Sequence, residues 1–495
     1  MLFSILVKYM WNSMFNLKKP YELSAWQDKA LNKIMDGFES WEDVITLLGA
    51  TGTGKTFTMA NIIQRINKPV LVFSHNKTLA AQLSTEFKNF FPKNAVHYFV
   101  SYFDYYQPES YIPSRDTYIE KDSAVNSEIE MYRLSTMASL LDRNDTIVVS
   151  SVSCLYGLGK KQTFKESSIS FEVWKTYDFD EIKQNLVALQ YEPVQWKLEQ
   201  GMFDFKGEII DIFSSIDRVA YRLIFDENEL ELIQVKDGLT FEDMGTANKV
   251  NVRPATQFMQ DMEWLDDILK QIKKDLDERV KYFKDKWKEL EAKRIKKRTM
   301  HDIRMIRETG FTKWIENYSK YFEGRRTWEP PYTLFDYFPD DFLLIIDESH
   351  MSIPQIKSMS SGDASRKQNL IENGFRLPSA ADHRPLRFEE VEQYFGWSDE
   401  KYDKKNLIQD HIKPDVKTLF VSATPSDYEL ENSDRIVEQI IRPTWLLDPK
   451  TYVYPKSGDY SMLMDSLDKL LEKKPYLNEY LKGYDQDVDY SDGFF

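Results

Sequence analysis

Gly49-Ala50-Thr51-Gly52-Thr53-Gly54-Lys55-Thr56 has the spacing G-x-x-x-x-G-K-[ST] at every defined position. The apolar run Val44-Ile45-Thr46-Leu47-Leu48 precedes it and reads as a buried strand. Phe57-Thr58-Met59-Ala60-Asn61-Ile62-Ile63 follows and reads as a helix. A glycine-rich turn in that setting wraps backbone N–H groups around phosphate, and the helix turns its positive N-terminus toward the same anion. Gly49, Gly52 and Gly54 permit the close approach, with Thr51 and Thr53 in the wrap. Lys55 is placed for the β- and γ-phosphates and Thr56 for Mg²⁺. The stretch predicts a nucleoside-triphosphate site at the end of a parallel α/β sheet.

Two later strands narrow the class. Phe342-Leu343-Leu344-Ile345-Ile346 ends in Asp347-Glu348-Ser349-His350. Asp347 at the strand's C-terminal end is placed to hold Mg²⁺, and Glu348 to polarise the attacking water. Lys55 and Glu348 are therefore the candidate catalytic residues, and ATP with Mg²⁺ the expected cofactors. The acidic box resembles the helicase-type Walker B motif. Phe420-Val421-Ser422-Ala423-Thr424-Pro425 resembles motif III of superfamily 2 helicases. Tyr21 and Gln27 precede the loop at a spacing similar to an adenine-reading Q-motif, with Tyr21 placed to stack on the base and Gln27 to read its edge.

The segment Val100-Ser101-Tyr102-Phe103-Asp104-Tyr105-Tyr106-Gln107-Pro108-Glu109-Ser110-Tyr111-Ile112-Pro113 concentrates five aromatic rings. Asp104, Gln107, Pro108 and Glu109 interrupt any period of 2 or 3.6, so a packed core fits it poorly. Rings on a rigid hairpin stack on bases without sequence preference, at roughly 1–3 kcal/mol per base. The segment resembles the aromatic β-hairpin of the UvrB family of bacterial nucleotide excision repair. His75-Asn76-Lys77-Thr78-Leu79-Ala80, Ser153-Cys154-Leu155-Tyr156-Gly157-Leu158-Gly159, Gly374-Phe375-Arg376-Leu377-Pro378-Ser379-Ala380 and Glu438-Gln439-Ile440-Ile441-Arg442-Pro443-Thr444 are similar to the same family, from about Tyr21 to Pro449. Phe103 stands where the family usually has tyrosine. The resemblance implies damage verification on DNA, one strand clamped behind the hairpin. It implies DNA contacts from Tyr102, Phe103, Tyr105, Tyr106, Glu109, Tyr111, Lys121 and Arg133, and UvrA-like and UvrC-like partners, the latter an incision nuclease. A generic superfamily 2 translocase and a non-hydrolysing DNA-binding remnant are the competing readings.

The 495 residues suffice for several domains. A net charge of −15 excludes a generally basic nucleic-acid coat protein but permits a local basic track. The single cysteine, Cys154, excludes an internal disulfide and fits a reducing cytoplasm. No apolar run reaches membrane-spanning length.

The expected fold is α/β: a RecA-like P-loop core interrupted by an aromatic hairpin with helices and by an α/β docking module. Residues 1–19 read as an N-terminal extension. Residues 20–95, 117–158 and 330–425 read as the ATP-binding motor domain, and 96–116 with 251–329 as the DNA-facing insertion. Residues 159–250 read as the UvrA-interaction-like module, and 426–495 as the start of an incomplete second motor domain. The tail has no Gln-x-x-Gly-Arg-x-x-Arg-like pattern. By the resemblance the chain is expected to stop before that domain and its arginine finger, with weak turnover as the consequence.

Two departures from the family stand out. Three arginines of its docking module fall here on Pro193, Asp204 and Lys206, so that only Lys206 keeps the charge for a partner. Trp41, Trp174, Trp287, Trp314, Trp328 and Trp445 each fall where the family pattern has glycine. The chain has 11 tryptophans and only 18 glycines, about half the usual ~7%. UGA is read as tryptophan in some genetic codes and as glycine in others. A gene read with the wrong table predicts that these tryptophans sit on turns or helix ends with their indoles poorly buried.

Overall fold

Short runs of branched and aliphatic residues form the centre of the molecule, as expected of strands buried on both faces. The computed structural model describes residues 14–194, 196–259, 264–309, 312, 315–397, 411–413, 415–442 and 469. Met1–Pro443 and Thr444–Phe495 form separate units, and only Lys469 of the second lies among the described residues. The main sheet has seven parallel strands. Their order is Arg435–Gln439, Val44–Gly49, Lys417–Ser422, Leu343–Asp347, Val70–Phe73, Thr146–Ser150, Ala95–Phe99. Alternation divides the side chains between two cores. Ile45, Leu47, Val70, Val72, Leu343, Ile345, Leu419 and Val421 face one. Val44, Leu71, Phe73, Val148, Leu344, Ile346 and Phe420 face the other. Register sets Leu48 opposite Ser422 and Asp347 opposite Val421, so the carboxyl ends of the central strands converge where ligands bind in open α/β sheets.

The borders of the insertions differ from those expected. Ala95–Phe99 is a core strand at the sheet edge, not part of the hairpin. It runs into the aromatic segment without a turn signal, which hid the border. The hairpin pairs Phe103–Gln107 with Asp122–Val125 and Ser110–Ile112 with Thr117–Ile119. Its returning arm therefore belongs to the insertion rather than to the motor domain; that arm carries few rings and so resembled core sequence. Arg435–Gln439 joins the main sheet instead of opening a second domain. The Asp434 carboxylate locks it there by accepting from the N–H groups of Asp43 and Val44 at 2.9 and 3.0 Å.

The α/β module has a six-stranded sheet, and Ile169–Glu172 pairs with Lys249–Val252 at its base. Phe164, just before it, packs in the motor core. The charged stretch forms two helices, Leu265–Asp285 and Glu289–Thr309, whose apolar stripes share a cluster of their own. Arg279 and Arg294 donate to the carbonyls of Ile371 and Asn373. Those carbonyls close the long helix Ser349–Glu372, the end of a helix that favours positive charge.

Candidate nucleotide site and nucleic-acid cavity

The loop is held from both sides by buried amides. Gly52 and Gly54 take φ of 81° and 80°, the left-handed region glycine enters without strain. A Cβ on Gly54 would lie 2.6 Å from Gln27 Nε2. Gln27 donates to the carbonyls of Thr53 and Gly54 at 3.3 and 3.4 Å, and its Oε1 accepts from Ser24 N–H. Gln27 is thus engaged with the loop backbone, while Tyr21 is exposed and its ring lies 4.5 Å from that of Phe57. Gln439 holds the other side: its Nε2 donates to Thr53 carbonyl at 2.9 Å and its Oε1 accepts from Thr58 Oγ1 at 2.9 Å. Arg442 Nε donates to Thr51 carbonyl at 2.8 Å. Sequence reasoning missed both roles. A signal existed for Gln439: alternation with buried Val437 turns this polar residue inward at the carboxyl end of an edge strand.

The chemistry clusters below the loop. Lys55 Nζ donates to Gly49 carbonyl at 2.9 Å and lies 3.8 Å from Glu348 Oε1. Thr56 sits beside it in the first turn of the helix Lys55–Ile66. Glu348 takes φ 44° and ψ 53° at the N-cap of its helix and makes no side-chain cap bond. A non-glycine residue in that conformation costs of order 1–3 kcal/mol and marks a site where geometry is over-determined. Its carboxylate is left facing Lys55 and, at 3.5 Å, His350 Nδ1. Burial, reinforced by Glu348 next door and opposed by Lys55, pushes the Asp347 carboxyl up to about 7. That is a carboxylate short of positive charge, so the donor set Thr56–Asp347 fits a hard divalent cation. Ser422 hydrogen-bonds His350 Nδ1 at 2.8 Å and accepts from Thr424 N–H at 3.0 Å, tying the Ser-Ala-Thr-Pro strand to the helix after Glu348.

The hairpin stands over a cavity of about 1030 Å³, lined among others by Lys77, Tyr102, Phe103, Lys121, Arg133 and Arg366. The Tyr102 and Phe103 rings lie 4.3 Å apart, and Lys121 Nζ stands 5.6 Å from the centre of Phe103. Arg133 is buried, packs its guanidinium 4.0 Å over Phe99 and donates to Gln257 Oε1 and Val100 carbonyl. Burial lowers it to about 10, which still leaves it cationic at neutral pH. Tyr105 is half-exposed, with its hydroxyl on Gln107.

Glu109, Tyr111 and Lys121, expected to meet DNA, and Lys206, expected to meet a partner, are engaged with protein. Glu109 is buried, accepts from Arg376 Nε at 2.7 Å and pairs with Arg298 at 3.0 Å. Tyr111 and Tyr118 pack on Phe375, the second face to face at 4.6 Å. Lys121 also bridges to Glu316 at 2.6 Å. Tyr106 lies on the strand Phe103–Gln107. Lys206, on the strand Met202–Lys206 of the α/β module, is paired with Asp204.

Comparisons with known proteins converge on one family. Residues 20–169 match the type III restriction enzyme res-subunit model, 169–258 the UvrB interaction domain and 263–324 the UvrB third helical domain. The chain is 47% identical to the UvrABC system protein B of Enterococcus faecalis over 463 residues, which is 93% of this chain and 67% of that one. The chain belongs to the UvrB family. Two further UvrB relatives, from Carboxydothermus hydrogenoformans and Lactobacillus acidophilus, are 49% and 47% identical over 90% and 94% of this chain. It spans 64% and 66% of their lengths, so about two thirds of the UvrB proteins it matches. The match to the UvrB interaction domain begins at the strand Ile169–Glu172, in agreement with the fold boundary and ten residues beyond the expected border at 159. Among the described residues no helix is long and apolar enough to cross a membrane.

Proposed function

We propose that this protein verifies DNA damage in nucleotide excision repair by clamping one strand between the aromatic hairpin and the motor core, under control of bound ATP. The observation that carries the reading is the cavity of about 1030 Å³ beneath the hairpin, whose wall includes Tyr102 and Phe103 together with Lys77, Lys121 and Arg366. Rings offer stacking without sequence preference, and cations follow the backbone of a single strand. A strand that passes under the hairpin must leave its complement, which is easiest where a lesion has already weakened stacking.

In this reading the loop N–H groups and Lys55 hold the β- and γ-phosphates, and Thr56 and Asp347 hold Mg²⁺. The metal supplies charge neutralisation on those phosphates. Glu348 orients the hydrolytic water. Tyr21 covers the base, and Gln27 couples the base side of the site to the loop backbone. Gln439 and Arg442 sense the same loop from the segment that leaves the motor core. Tyr102, Phe103, Tyr105, Tyr106 and Lys121 contact DNA, whereas Glu109, Tyr111 and Arg133 hold the hairpin in place. Residues 169–258 dock a UvrA-like partner, with Lys206 weakened by Asp204, and a UvrC-like nuclease acts afterwards. The compartment is the cytoplasm.

The test is fluorescence anisotropy of this chain with Mg-ATP on a bubble-containing duplex and on the same duplex fully paired. Clear preference for the bubble, lost in Tyr102→Ala/Phe103→Ala, is expected. Equal affinity for both DNAs, or an unaffected double variant, rejects the clamp.

A further inference from the structure

Ten described residues other than glycine have positive φ, and four of them are tryptophan, a residue that supplies only 11 of 495 positions. They are Trp41, Trp174, Trp287 and Trp328, at φ 68°, 65°, 61° and 73°. Their relative exposures are 89%, 70%, 92% and 61%. Tryptophan is normally a buried anchor with its N–H satisfied, and a bulky side chain in the left-handed region is strained.

Three of the four sites, Trp41, Trp287 and Trp328, have the bonding of a glycine turn. Lys288 N–H closes on Phe283 carbonyl and Trp287 N–H on Lys284 carbonyl, both at 2.9 Å. This is the paired closure of a helix end whose left-handed residue is usually glycine. Glu42 N–H closes on Gly37 carbonyl at 3.1 Å around Trp41 after the helix Ala25–Glu39. The same chain puts glycine into the same closure elsewhere. Arg325 N–H reaches Lys320 carbonyl around Gly324, and Phe375 N–H reaches Leu370 carbonyl around Gly374. Trp328 is the third residue of a turn closed by Glu329 N–H on Arg326 carbonyl, where positive φ calls for glycine. Its own N–H is held by Asp382 at 2.8 Å and its carbonyl by Arg384 at 3.2 Å. Trp174 N–H is likewise bound to Leu230 carbonyl at 2.8 Å. The backbone at these two sites is fixed by neighbours, and the indoles project away from it.

Trp397 is the internal contrast. It is 6% exposed, its Nε1–H donates to Thr418 Oγ1 at 2.9 Å, and the left-handed position before it is Gly396. Gln190 and Phe241 show that other residues enter the left-handed region here; the Phe241 ring lies 5.6 Å from the Arg222 guanidinium, as the Trp328 ring does from that of Arg387. Trp314 and Trp445 lie outside the described residues.

We infer that the natural residue at positions 41, 174, 287 and 328 is glycine, encoded by UGA codons that this protein's own translation apparatus reads as glycine, whereas Trp397 is encoded by UGG. Peptide mass spectrometry of the protein isolated from the cell that makes it decides the matter. Glycine at all four positions together with tryptophan at 397 is expected; tryptophan at any of the four overturns the inference. Sequencing the gene gives an independent reading, in which UGG at those four codons overturns it. As a physical check, the full chain carrying Trp41→Gly, Trp174→Gly, Trp287→Gly and Trp328→Gly should melt several degrees above the tryptophan form, because glycine adopts these angles without strain. A lower midpoint contradicts glycine as the residue these turns are built for.

Discussion

Around Gly49–Thr56 the groups proposed to hold phosphate are mainly main-chain N–H donors and one lysine, fixed by the local turn and by Gln27 and Gln439. Around Tyr102–Tyr111 they are side chains, and their surroundings come from segments far along the chain: Glu109 meets Arg376 267 residues away. Backbone chemistry is set by spacing, so a loop of this kind declares its use. Side-chain chemistry depends on what packs nearby, so adjacent residues of one hairpin end up with opposite tasks. Tyr102, Phe103 and Tyr105 stay near the cavity or solvent, while Tyr111 packs on Phe375 and Glu109, which also lines the cavity, is bound to Arg376.

The largest expected effect falls on the anchor. Arg376→Ala removes a fully buried partner of Glu109 that also lies 3.7 Å from Asp302. Breaking a buried pair by deleting one side costs about 3–5 kcal/mol. Thermal unfolding should fall accordingly, and the hairpin should become a protease target. A variant as stable as the parent would mean that the hairpin is not held there.

Lys55→Ala probes the other region. Loss of the cation beside Gly49 and Glu348 should weaken Mg-ATP by about 100-fold, some 3 kcal/mol, with little change in stability. Calorimetric titration reads this directly, and unchanged affinity would break the loop assignment. Within the hairpin, Tyr105→Ala should cost about 1–3 kcal/mol in binding to bubble DNA and leave melting unchanged. Tyr111→Ala should do the reverse, lowering stability by about 1–2 kcal/mol through lost packing on Phe375. Equal behaviour of the two variants would erase the division of labour.

The smallest effect is graded with pH. Burial lowers His97, in the core sheet, to about 4 and His383, beside the cavity, to about 3. Both depart downward from about 6.5, so each contributes stability that is complete above pH 6.5. It is lost as pH falls, at up to ~1.4 kcal/mol per pH unit per histidine. Glu323 and Asp347, each raised to about 7 mainly by burial, act oppositely: their stability is complete below the usual carboxylate range and is lost as pH rises toward 7. The melting midpoint of the parent should therefore fall relative to that of His97→Gln as pH drops from 6.5 to 4. A difference between the two that does not change with pH would show that His97 is hydrated in the fold.

The sequence was most legible where one segment alone sets the geometry. The loop, the Asp347-Glu348 strand end and the order of core and insertions follow from spacing and apolar runs. Domain borders were less legible, because Ala95–Phe99 flows into the hairpin without a turn residue and Arg435–Gln439 is a polar edge strand. The roles of Glu109, Arg133 and Tyr111 could not be read locally, since burial is decided by Arg376, Gln257 and Phe375. Gln439 and Arg442 were visible as residues but not as loop contacts, because their partners lie 386 and 391 residues away.

The central claim is that a single DNA strand lies in the cavity under the hairpin. It is tested most directly by replacing Phe103 with a photocrosslinking phenylalanine analogue and irradiating the chain on bubble-containing DNA with Mg-ATP. The account predicts efficient crosslinks to one strand of the bubble, few on fully paired DNA, and none from the same analogue at exposed Trp196 on the α/β module. DNA that binds with normal affinity yet never crosslinks from position 103 would contradict it.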